Sequence, residues 1–228
     1  MSLSLRLPAR TEKRANKKLG SDLNNKRIIL ASASPRRREL LSFITKEFDV
    51  ITADIDERAA EIRMEEEGVP SVKVSEHLAY LKAKAVFDTL TEEEKSACVV
   101  IGADTSVILD GVIYGKPEDR EDAVRMLSSL SGNVHVVATG VSLLSGCSKR
   151  NFTEETRVEF YALDDYQKQV ISDYCDSGSP FDKAGAYGIQ DMGVLLVKKI
   201  DGDYSNVVGL PVSRLARELA NMLKYPLE

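Results

Sequence analysis

The sequence predicts an α/β protein: a mixed central sheet flanked by helices, in one domain with two lobes around a cleft. Three observations predict it. Short apolar runs alternate with amphipathic segments from Lys26 onward, the pattern of strands packed against helices. Two pairs of apolar runs are joined by turns too short for a crossover helix, so part of the sheet must be antiparallel. The 228 residues contain no repeat, low-complexity tract or linker, and with 43% hydrophobic and 29% charged residues the chain can bury a core of its own.

Taken in order, 27-RIILAS-32 reads as a buried strand that feeds a helix start, with Ser34 at the N-cap and Pro35 at the first helical position. The helix over 35–44 puts Leu40, Leu41 and Ile44 on one face. The run 48-FDVITAD-54 reads as a second strand. Within 74–90, Val74, Leu78, Leu81, Ala85 and Phe87 recur at helical spacing. After the polar TEEEKS, 97-ACVVIGADTSVILDG-111 is an apolar strand in which CVVIG ends at an acid, Asp104, before a turn at Asp110-Gly111. Residues 118–132 form a helix with an acidic first turn and Gly132 past its end. The runs 134–145 and 153–163 predict a hairpin around Gly146, and a helix from Asp164 to Cys175 follows. A second hairpin is expected from 194-VLLVKKI-200 and 204-YSNVVGL-210, joined by Asp201-Gly202-Asp203. A last helix runs from Pro211 to Leu223.

Residues 1–26 stand apart as a basic, flexible N-terminal extension. Through Arg27 the segment has eight Lys/Arg against Glu12 and Asp22, and Pro8 and Lys13 to Lys18 break any amphipathic pattern. A transit peptide is the alternative for an Arg-rich, acid-poor leader, so organelle targeting stays open beside a cytoplasmic location. Three scattered cysteines, Cys98, Cys147 and Cys175, point to a reducing compartment rather than a disulfide or zinc framework. A net charge of −5 argues against nucleic acid and anionic membrane as partners, and no apolar run reaches the roughly 20 residues of a membrane span. An anion-binding site must then be a local concentration of positive charge.

One such concentration breaks a local rule. Arg36, Arg37 and Arg38 occupy the first turn of the helix after Pro35, where free N–H groups already carry roughly half a positive charge. The cost disappears if an anion sits there, met by Arg36 and Arg37; Arg38 reads as a solvated surface group. Walker and dinucleotide glycine motifs are absent. Asp104 suits either a hard divalent cation or the activation of a water, with a turn cap as the plainer explanation. Lys116, in the Gly/Pro loop 115-GKP-117, can be aimed at a fixed point, though loop lysines are commonly solvated. Glu57 and Lys82 have nothing local to distinguish them. In 182-DKAGAYGIQ-190, small residues let backbone approach a planar ligand, Gln190 offers a donor and an acceptor side by side as a base edge requires, and Lys183 adds a charge; a tight structural turn has the same composition.

These segments in this order resemble the Maf (septum-formation-protein-like) family of nucleoside triphosphate pyrophosphatases. The resemblance is carried by 30-LASASPRRRELL-41, 78-LAYLKA-83, 102-GADTSVILDG-111, 115-GKP-117, 126-MLSSLSG-132, 135-HVVATGV-141, 182-DKAGAYGIQ-190 and 207-VVGLP-211. It covers about 27–224, so residues 27–228 are taken as one Maf-like domain. It implies an elongated mixed sheet with a deep cleft, related to the inosine triphosphatase fold. It also implies hydrolysis of a nucleoside triphosphate to monophosphate and pyrophosphate with Mg²⁺, or Mn²⁺ or Co²⁺ in its place, and a homodimer. By motif position, Ser32, Arg36 and Arg37 become the triphosphate grip; Glu57, Lys82 and Lys116 become groups around metal and phosphates; Asp104 becomes the catalytic carboxylate, sharing the metal with Glu57. Gln190, with Lys183 nearby, falls on the base side. AGAYGIQ resembles the branch preferring dTTP and UTP, with house-cleaning of non-standard nucleotides as a role left open. Two departures are Ala33, where Gly or Asn is common, and Asp191-Met192, which replaces a Gly-containing pair and bears on base preference. The alternative is a non-catalytic nucleotide sensor or cell-division regulatory binder on the same fold.

Overall fold

The computed structural model describes residues 26–52, 54–146 and 148–224; the basic extension lies outside them. The elements run β1 (Arg27–Leu30), α1 (Pro35–Leu41), β2 (Asp49–Val50), α2 (Glu57–Glu66), α3 (Ser71–Phe87), α4 (Glu92–Ala97), β3 (Cys98–Leu109) and β4 (Val112–Tyr114). Then come α5 (Arg120–Leu130), β5 (Val134–Ser145), β6 (Ser148–Phe160), α6 (Asp165–Asp176), β7 (Val197–Asp201), α7 (Tyr204–Val208) and α8 (Val212–Lys224). The strands form one mixed sheet in the order β2-β1-β3-β5-β6-β7, with β4 also on β3. β1 is parallel to β2 and β3, while β3, β5, β6 and β7 pair antiparallel.

Local chemistry explains most of these elements. Ser34 caps α1 by accepting from Arg37 N, with Pro35 at the first turn, and the helix stops at Leu41, short of Ile44. The β3–β4 hairpin turns on Asp110 and Gly111, both at positive φ (51° and 82°), the conformation a two-residue turn needs. β5 and β6 form the expected long hairpin at Gly146, though β6 begins at Ser148 rather than 153. One face of the sheet packs Leu40, Leu41, Leu215 and Leu219 against Ile101 and Leu143. Leu127, Leu130, Ile171 and Tyr174 from α5 and α6 close over Val137, Val158 and Phe160.

Several expectations fail for identifiable reasons. The segment 204–210 is not a strand, and Tyr204–Val208 is helix: Asp203 Oδ1 accepts from the N–H groups of Ser205 and Asn206, starting a helical turn that overrides the β propensity of Val207-Val208. β7 begins at Val197 because Met192–Leu196 coil as a 3₁₀ turn. The second strand shrinks to the exposed pair Asp49–Val50. Two helices are unforeseen. α2 is polar nearly all round, burying only Ala60 and Met64 behind the Asp56 N-cap, so it lacks an apolar stripe. α4 buries nothing, and a Thr91–Glu94 capping box starts it within the polar TEEEKS.

Two glycines set the geometry of the centre. A Cβ on Gly102 would lie 2.1 Å from the Ala79 carbonyl oxygen, and one on Gly140 would lie 2.2 Å from the Glu76 nitrogen. Helix α3 can therefore rest directly on β3 and β5 only because both positions lack side chains. That contact brings Lys82 beside Asp104.

Candidate functional site

Asp104 does not stand at a strand end, as CVVIG-AD suggests, but in the middle of β3, opposite Gly140 of β5. The opening belongs to its other neighbours. β1 pairs with β3 only over residues 98–101, and β4 only over 107–109. Between them, residues 102–106 of β3 have no strand on that side among the described residues. The crevice thus lies past the carboxyl end of β1, where such sheets place ligands.

A cavity of about 510 Å³ occupies the gap. Its lining includes all nine residues singled out from the sequence: Ser32, Arg36, Arg37, Glu57, Lys82, Asp104, Lys116, Lys183 and Gln190. They come from six separate stretches of chain. Lys82 Nζ lies 2.6 Å from Asp104 Oδ1 and 2.9 Å from Glu57 Oε2. Arg37 donates from Nε to the Gly209 carbonyl (2.9 Å), from Nη1 to Ser32 Oγ (3.3 Å) and from Nη2 to Thr105 Oγ1 (3.0 Å). Burial lowers its affinity for the proton while the nearby Asp104 charge raises it; the guanidinium stays a cation. Arg36 reaches Asp182 across the cavity at 3.0 Å. Lys116 is exposed at the rim. Arg38 is exposed and bonds only the Ala33 carbonyl among the described residues, in keeping with a surface role.

The loop opposite α1 is held from behind. Gly185 and Ala186 adopt positive φ (67° and 59°), and Gly185 packs where a Cβ would meet Val107 at 2.8 Å. Asp191 accepts from Tyr174 Oη (2.9 Å), Ser179 Oγ (2.7 Å) and Gly193 N (3.0 Å), and Tyr174 Oη in turn accepts from Gly188 N. Lys183 bonds the Ser179 carbonyl and Asp182, and lies 3.3 Å from Asp191. Burial works against the charged forms of Asp182 and Asp191, but Lys183 and Arg36 around Asp182, and the Ser179 and Gly193 donors on Asp191, outweigh it and hold both carboxyls below the usual range. Gln190 is exposed to the cavity.

The donor set fits a hard divalent cation. Asp104 and Glu57 already converge on one cation, the Lys82 ammonium, and Mg²⁺ is typically held by one or two carboxylates with substrate phosphates and water completing the shell. Among the described residues no group of three or more His, Cys, Asp or Glu could hold a metal by itself, so the substrate would have to supply ligands.

Sequence reading misses Thr105, Tyr187, Gly209 and Glu61, and treats Asp191 as a departure bearing on base preference rather than as the acceptor that holds the loop. Partial desolvation first, then the charges of Asp104 and Glu57, raises the Glu61 carboxyl; its place four residues after Glu57 was the available signal, legible only once 57–66 is known to be helix. Gly209 gave no sign, because its function here is a carbonyl.

Residues 27–222 match the model of a family described as Maf-like protein. The chain is 46% identical over 197 residues to a dTTP/UTP pyrophosphatase of Geobacillus sp. (strain WCH70), spanning 86% of this chain and 98% of that protein. It is 47% identical over 189 residues to one from Thermosipho africanus, spanning 83% and 90%. A third, from Acetivibrio thermocellus, is 45% identical over 194 residues, spanning 83% and 92%.

Proposed function

The chain belongs to the Maf-like protein family, and on that premise we propose that it hydrolyses nucleoside triphosphates, dTTP and UTP foremost, to the monophosphate and pyrophosphate. The observation that carries this reading is the meeting of Arg36, Arg37, Lys82 and Lys116 with Asp104 and Glu57 around one cavity. A triphosphate carries about four negative charges, so neutralising charge dominates its chemistry.

In this reading Arg37, Arg36 and Ser32 hold the phosphate chain, and Lys116 swings in from the rim. Asp104 accepts a proton from a water and orients it for in-line attack on the α-phosphorus. Lys82 holds the Asp104 carboxylate in place and shares the charge that develops on departing pyrophosphate. Glu57 and Asp104 would together hold a divalent ion such as Mg²⁺, which when bound supplies Lewis-acid stabilisation of the phosphate oxygens. Gln190 reads the base edge from the loop opposite. The catalytic unit is the domain from residue 27 onward.

Incubating the purified chain with UTP or dTTP and Mg²⁺ tests the reading. UMP or dTMP should appear with equimolar pyrophosphate. Release of orthophosphate alone overturns the pyrophosphatase assignment, and binding without turnover favours the regulatory alternative.

A further inference from the structure

Arg37 is the one site cation whose described partners are all neutral, a carbonyl and two hydroxyls, and those partners continue into the sheet. Thr139 Oγ1 donates to the Asn206 carbonyl at 3.0 Å. With its single proton committed there, Thr139 can only accept from Thr105, whose Oγ1 lies 3.0 Å away. The Thr105 oxygen is then left as an acceptor for Arg37 Nη2. Each hydroxyl has one orientation, and the chain runs Arg37 to Thr105 to Thr139 to the Asn206 carbonyl. Hydrogen bonds in such a chain polarise one another.

The far end is anchored. Asn206 is fully buried, and its Nδ2 donates to the Val137 carbonyl (2.9 Å) and Thr156 Oγ1 (3.0 Å). Gly209, whose carbonyl takes Arg37 Nε, has its own N–H on the Asn206 carbonyl at 3.0 Å. Both carbonyls facing the relay thus come from the C-terminal end of α7.

We propose that Thr139, buried and outside the cavity lining, is a positioning residue that works through Thr105 to aim the Arg37 guanidinium at the phosphate chain. A long flexible side chain gives up considerable rotamer entropy when it meets a ligand; fixing it beforehand removes that cost from binding. Neutral acceptors achieve this while leaving the positive charge for the ligand. The inference rests on the reading of Arg37 as a phosphate-holding group.

Calorimetric titration with inorganic tripolyphosphate tests it on the full chain, independently of turnover. Thr139→Val should weaken binding about tenfold, the scale of one charge-assisted hydrogen bond. Thr139→Ser, which keeps the hydroxyl, should restore it to within about twofold of wild type, by the same scale. In an Arg37→Ala background Thr139→Val should change nothing further. Wild-type affinity in Thr139→Val, or an equal loss with and without Arg37, overturns the relay. If Arg37→Ala itself binds like wild type, the reading of Arg37 has failed and the inference falls with it. Should Thr139→Val not fold, Thr139→Ala removes the same hydroxyl from the far side of Thr105 without adding bulk to the sheet, leaves the Arg37–Thr105 contact in place, and carries the same expectation.

Discussion

The two walls of the cavity hold their cations by opposite means. On the wall formed by α1, β3 and α7, Arg37 is fixed by a carbonyl and two hydroxyls. On the wall formed by 179–191, Lys183 is fixed by Asp182 and Asp191. A carboxylate partner cancels most of a cation's field at short range, whereas neutral acceptors position it and leave the charge. In the proposed reading the first wall leaves its charge for a polyanion, while the second commits its charge to holding a loop in shape. Arg36, paired with Asp182 across the gap, belongs to both: a phosphate arriving there competes with an exposed carboxylate for it.

The largest expected effect lies between the walls. Asp104→Asn should cut turnover by about a thousandfold or more, the scale of a lost general base combined with lost charge, while circular dichroism stays native because Asn fills the same space. Near wild-type turnover would remove Asp104 from the chemistry.

Next comes the contrast itself. Arg37→Ala should raise the KM for UTP by roughly a hundredfold, as a charged contact and its anchors go together, with little change in melting temperature. Lys183→Ala should move KM less than about tenfold yet lower stability by ~1–3 kcal/mol, because Asp182 and Asp191 lose their shared partner. Equal KM effects from the two would break the distinction between charge-supplying and loop-holding cations.

A smaller effect comes from behind the loop. His135 is fully buried, its Nε2 is 2.8 Å from Tyr187 Oη, and its Nδ1 has no partner among the described residues. Burial pushes its pKa from 6.5 down to about 4. The folded chain keeps it neutral while the unfolded chain takes up a proton first. Stability is thus complete above about pH 6.5 and lost as pH falls toward 4, by roughly 3 kcal/mol for this group. Melting temperatures measured from pH 7 to 4.5 should fall less steeply for His135→Gln than for wild type; parallel curves would count against a neutral buried imidazole. The smallest effect is Arg38→Ala, expected to leave KM and melting temperature within error, since that side chain points outward.

Much of this site was legible one residue at a time. Arg36 and Arg37 announced themselves by opposing a helix dipole, and Lys116 by its Gly/Pro frame. Asp104 drew notice for a mistaken reason: the apolar run does stop before it, but the strand continues, and the gap beside it is made by where β1 and β4 end. Thr105 and Thr139 read as ordinary β-branched strand residues, because their hydroxyl bonds are invisible until β3 and β5 align them as direct partners. The segment 204–208 misled because its two valines outweighed the Asp203 cap, and with it went the Asn206 carbonyl that takes Thr139 and, just past the helix, the Gly209 carbonyl that takes Arg37.

Composition, periodicity and capping signals, all local along the chain, determined the alternation of strands and helices, the mixed sheet, and which charged residues were out of place. Register and close approach are relations between distant segments, and only the tertiary structure decided them: that β3 lies open over 102–106, that two missing Cβ atoms let Lys82 reach Asp104, and that a short helix near the C-terminus aims an arginine near the N-terminus. Hydrogen bonds act over about 3 Å in space, a distance that separation in sequence does not encode.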